Sequence, residues 1–163
     1  MDASIYKEHL SCLLGEEARA MSALESVLET EHQFILADNL EDLEKASTER
    51  DIHVSTLLRI DGERQSLCRA VGYTTDKDGL LKLINWCDPT GTLQSRWKQN
   101  TSAILNCRAL NDRNGALINN RLKRVEGMLT TLTGTEHNQS RVYTARGNAY
   151  QNPQAGRVCH IQA

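Results

Sequence analysis

Residues 4–36 read SIYKEHLSCLLGEEARAMSALESVLETEHQFIL, and this stretch decides the fold. It contains no proline, and only Gly15 weakens a helix through it. Leu10, Leu13, Leu14, Met21, Leu24, Val27, Leu28, Phe34 and Ile35 recur at steps of three, four and seven. That spacing places them on one stripe of an amphipathic helix. At about 1.5 Å per residue the rod is about 50 Å long.

Working outward, Asp38-Asn39-Leu40-Glu41 reads as a helix start, with Asp38 as the cap and Glu41 reaching back as in a capping box. The second helix runs to about Val71 and ends at Gly72. Its apolar positions are Leu40, Leu43, Ala46, Val54, Leu57, Leu58, Ile60, Leu67 and Val71, interrupted by Ser47, Arg50 and Arg64. A link this short after Leu36 requires the two helices to be antiparallel. Thr75 and Asp78 open a short helix, Asp76 to Cys87, which Asp88-Pro89 stops. After the Thr90-Gly91-Thr92 linker a third long helix runs from about Leu93 to Leu132. Its stripe is Leu93, Trp97, Ile104, Cys107, Leu110, Leu117, Ile118, Val125, Leu129 and Leu132.

The expected fold is therefore all-α: an antiparallel, coiled-coil-like bundle of three long helices with one short connecting helix, over residues 1–133. Residues 134–163 lose the apolar periodicity and carry Gly134, Gly147, Gly156 and Pro153. They read as an irregular, flexible C-terminal arm that needs a surface to order it.

Composition agrees with this reading. Aromatics are 4% of the 163 residues, and Pro89 and Pro153 are the two prolines, so the core falls to Leu, Ile, Val and Ala. A net charge of -2 argues against general affinity for nucleic acid or anionic membrane. Residues 1–60 carry 13 acidic against 5 basic side chains, while residues 92–132 carry 7 basic against 2 acidic, so these helices attract each other. The start of the chain shows no signal-peptide pattern and no stretch long enough to insert stably in a membrane; a cytoplasmic protein is expected. Five scattered cysteines read as reduced thiols.

No phosphate loop, dinucleotide fingerprint, nucleophile elbow or His-Glu-x-x-His is present, so no enzyme, cofactor or small-molecule substrate is expected. His9, His32, His53, His137 and His160 share no metal-ligand spacing, and the adjacent Cys159-His160 pair reads as incidental. The informative cluster is Asn111-x-x-Asn114-Gly115-x-Leu117-Ile118. Asn and Gly cost a helix interior several tenths to about 1 kcal/mol each, so something must compensate. In the structural reading, Gly115 admits a neighbouring backbone and the asparagines fix a seam's register, level with Arg50 to Leu57 of the second helix. The other reading is a partner-binding role.

With that cluster the sequence resembles the FlgN-type flagellar export chaperones over nearly its full length. The resemblance is carried by Glu31 to Asp38 with Leu40 and Leu43, by Arg64-Gln65-x-Leu67 running into Val71-Gly72, and by the Asn111 to Ile118 motif. It is carried also by Tyr143-Thr-Ala-Arg146-Gly147, which is similar to the family's Tyr-x-Ala-x-Gly tail. The Thr75 to Trp97 and Gly156 to Ala163 stretches depart from the pattern. The resemblance implies a protein, monomeric or weakly dimeric, that binds hook-filament junction proteins, keeps them unassembled and brings them to the cytoplasmic domain of the flagellar export gate. The arm is the expected binding element, through Val142, Tyr143, Arg146, Gly147 and Tyr150, with Tyr143 as anchor. The competing reading is a coiled-coil adaptor or regulator that binds through rigid helical faces.

Overall fold

The computed structural model describes residues 2–133, and the backbone of residues 142–143 and 149–150. Helix α1 is Ala3–Ala37, α2 Leu40–Ala70, α3 Lys77–Cys87 and α4 Thr92–Thr133. Two compact units divide the chain, Met1–Leu117 and Ile118–Ala163.

Local chemistry sets the helix ends. Asp2 caps α1 by accepting from the Ser4 amide at 3.0 Å. At the far end Asp38 turns left-handed, with φ 56°, and closes α1 by donating its own amide to Ile35 and Phe34. The cap of α2 is consequently Asn39, whose Oδ1 accepts from the Asp42 amide at 3.2 Å; Asp38, expected in that role, is already engaged. Asp76 caps α3 through the Gly79 amide at 2.8 Å. A β-carbon at Gly79 would lie 1.8 Å from the Thr74 carbonyl oxygen, so only glycine fits this turn.

In the first unit α1 is the shared partner. Its expected stripe is buried throughout, with Phe34 half-buried. One apolar cluster gathers Leu10 and Leu14 of α1, Cys68 of α2, four α3 side chains and Leu93 of α4. A second joins Leu24, Leu28 and Cys107, with Leu57 and Leu110 leaning on it.

Beside the clusters, α1 and α2 are also held by charge. Glu17 is buried and takes Arg64 at 2.9 Å; Glu31 is buried and takes Arg50 at 3.1 Å and Ser47 at 3.1 Å. Arg59 bridges Glu16 and Glu63. Later α1 residues meet earlier α2 residues, so the two helices run antiparallel. The polar residues that interrupt the α2 stripe are thus its interior contacts. Of the expected apolar positions Leu40, Val54 and Leu58 are exposed, while Ala46 and Ile60 are buried and Cys68 joins them.

On α4 the expected Leu93 and Cys107 are buried, and two asparagines join them. In the first unit its buried residues are Leu93, Asn100, Cys107 and Asn114, at strict seven-residue spacing, while Ile104 is exposed. Beyond residue 133 the described backbone is two short strands. β1, Val142–Tyr143, pairs antiparallel with β2, Ala149–Tyr150, matching Val142 to Tyr150 and Tyr143 to Ala149.

Candidate interaction surfaces

The asparagine motif belongs to a seam. Asn100 Nδ2 donates to the Leu14 carbonyl at 2.9 Å, Cys107 Sγ to the Met21 carbonyl at 3.6 Å, and Asn114 Nδ2 to the Leu28 carbonyl at 2.7 Å. Donors and acceptors both advance by seven, so this part of α4 runs parallel to α1. Side chains reaching backbone oxygens of the facing helix fix its height as well as its face.

The seam extends into the Glu17 centre and takes in His32. Asn100 also donates to Glu17 at 2.8 Å, and His32 Nδ1 donates to Asn114 Oδ1 at 3.2 Å. Arg113 pairs with Glu29, and that contact, chiefly its hydrogen bond, lowers the Glu29 carboxyl below its ordinary value. Among the described residues no buried side-chain nitrogen or oxygen lacks a partner. A half-satisfied polar core would be costly, and this one is satisfied.

Asn114 lies in this seam, with its hydrogen-bond partners on α1 and not on α2. Asn111 and Leu117 are half-buried. The reading of Gly115 fails: a β-carbon there meets nothing within 4 Å, so no backbone approaches it.

A second polar centre holds the α3–α4 junction. Asp88 is buried; it accepts from the Thr90 hydroxyl, from the Leu93 amide at 2.8 Å and from Lys7 Nζ at 2.9 Å. The Thr90 hydroxyl, the Leu93 amide and the Lys7 ammonium, in that order, hold its carboxyl far below the usual range. Burial pushes the Cys68, Cys87 and Cys107 thiols up, which keeps them protonated and unreactive.

The second unit presents the opposite chemistry. Ile118, Leu122, Val125, Leu129 and Leu132 alternate steps of four and three along α4, with Met128 beside them, and are 39–82% exposed. Sequence reading placed Ile118, Val125, Leu129 and Leu132 in the core because their spacing suits a seam; the spacing is right, but the side chains are uncovered. Arg121, Lys123 and Arg124 flank the stripe against a single acid, Glu126. Contiguous apolar exposure of this kind on a helix marks a protein-binding face. The sequence carried no separate signal of this exposure, since the apolar share of residues 118–133 matches that of the whole chain. Of the arm positions, Val142, Tyr143 and Tyr150 lie on paired backbone, while Arg146 and Gly147 fall outside the described residues, as does Cys159-His160.

Among the described residues no group of three or more His, Cys, Asp or Glu side chains gathers as a metal site, and no helix is long and apolar enough to cross a membrane. A polar-registered helical scaffold with an uncovered heptad stripe defines a helical binding protein. Over residues 1–151 the chain matches the family described as FlgN protein, and it belongs to that family of flagellar chaperones. The match runs through the Thr75 to Trp97 stretch, which by motif stands apart, and stops before Gly156. No curated protein and no solved structure matches the chain.

Proposed function

We propose that this chain is a cytoplasmic flagellar type III export chaperone that binds hook-filament junction proteins, holds them unassembled and delivers them to the export gate. The observation that carries the reading is the exposed stripe from Ile118 to Leu132. A client segment whose own apolar stripe must stay covered before assembly finds there a surface of matching period, and the flanking cations favour a client helix with acidic borders. The three long helices form an antiparallel bundle in this reading, with α2 reversed relative to α1 and α4. The arm, through Val142, Tyr143, Arg146, Gly147 and Tyr150, is the element that engages the gate and adds contacts to the client. The protein performs no chemistry of its own.

Co-purification with candidate junction proteins tests this. Full-length protein retains client, and a Leu129→Asp/Leu132→Asp variant with an unchanged melt releases it. If that variant and an arm-deleted chain both bind client like the parent, the reading fails and a rigid-face adaptor takes its place.

A further inference from the structure

Within the first unit, a groove of about 290 Å³ lies between α3 and the start of α4. Leu81 and Trp97 give it an apolar lining, Gln94 and Thr101 supply polar groups, and Lys77 and Lys98 complete it. Trp97 is half-buried and packs against the α3 core cluster, so the indole is fixed and only part of it is available. Lys77 Nζ sits 5.7 Å from the centre of the Trp97 ring, within cation–π range.

The two lysines differ from others in the chain. Lys7 pairs with Asp88, and Lys45 with Glu41 and Asp42, but neither Lys77 nor Lys98 has a carboxylate partner among the described residues. Both are exposed. The α3 wall is rigid, because Gly79 is locked against Thr74 and Leu80, Leu83 and Ile84 are buried beneath it. The result is an aromatic slot bordered by two cations that have no carboxylate partner among the described residues, one of them over the indole.

We infer that this groove docks a short acidic segment of a partner protein, with one apolar side chain against Trp97 and Leu81 and carboxylates paired to Lys77 and Lys98. The volume lies near the lower end for ligand pockets and suits side chains better than a cofactor. Positive charge beside an indole selects an anionic residue next to an apolar one, and fixed walls keep the ordering cost low. The inference stands apart from the stripe on the second unit and does not depend on it.

Trp97 itself reports binding. The chain has two tryptophans, so Trp86→Phe leaves Trp97 as the sole indole emitter. The probes are acetylated nine-residue peptides: Asp- and Glu-rich with a central Leu, the same with a central Gly, and a Lys-rich peptide with a central Leu. The acidic Leu peptide is expected to shift Trp97 emission saturably. Its affinity should fall about tenfold or more in Lys77→Gln/Lys98→Gln, the size expected for losing two partly screened ion pairs, and also with the central Gly. Lys98→Glu serves as a second variant, and circular dichroism verifies that each variant is folded. No saturable change at millimolar acidic peptide, equal binding of the Lys-rich peptide, or undiminished binding by the folded lysine variants overturns the inference. So does an equal response to phosphatidylglycerol vesicles, which would assign the groove to a membrane surface.

Discussion

Asn114 uses both ends of its amide on α1, donating to the Leu28 carbonyl and accepting from His32. Asn114→Ala removes the donor at a buried site, and urea unfolding should register a loss of about 1–3 kcal/mol. An unchanged midpoint would mean that the seam's height is set elsewhere. Asp88 gives a pH signature. Its carboxyl titrates lower in the folded chain than in the unfolded one, so its stabilisation is complete above the unfolded value of about 3.9 and is lost as pH falls below it toward the folded value. Asp88→Asn should therefore lower the melting temperature at pH 6 and close the gap with the parent below pH 4 or so. A gap constant across that range would show that the ionised form contributes nothing. Core leucines differ by position: Leu24→Ala should cost about 2–5 kcal/mol, and Leu57→Ala, being half-buried, less. Equal losses in thermal melts would contradict the packing.

At the scale of the element, helix existence and the α1 face were legible, and the α2 and α4 faces only in part. Proline scarcity, caps and the α1 stripe place all four helices within a residue or two of their observed ends. Where the α2 and α4 faces escaped, it was because apolar periodicity assumes that polar residues point outward. Here Arg50, Arg64, Asn100 and Asn114 point inward, answering the buried Glu17 and Glu31 and the α1 carbonyls. Gly115 and Gly79 make the contrast testable. Gly115→Ala has open space and should stabilise the chain by about 1 kcal/mol, the helix-propensity difference, whereas Gly79→Ala meets the Thr74 carbonyl and should destabilise it. Chemical denaturation of the two variants separates a glycine that packs from one that does not.

On the whole-molecule scale, the family was readable from short motifs and the surface was not. Tyr143 and the arm stood out as an aromatic on polar sequence, whereas the stripe looked like core, since exposure depends on what fails to pack against it. Tyr143→Ala should leave the fold intact and weaken binding to the isolated export-gate domain by roughly thirtyfold, about 2 kcal/mol. Calorimetric titration giving equal affinities would move the anchor to Tyr150 or to the helical faces.

The three rungs of the α1–α4 seam each join residues 86 positions apart. During synthesis at roughly 5–20 residues per second, Leu14, Met21 and Leu28 thus leave the ribosome about 4–17 s before their partners. The α1–α2 hairpin can close meanwhile, but Leu24 and Leu28 wait for Cys107 with their α4-facing side bare. A member of a chaperone family is itself, for those seconds, a nascent chain with an unfilled seam.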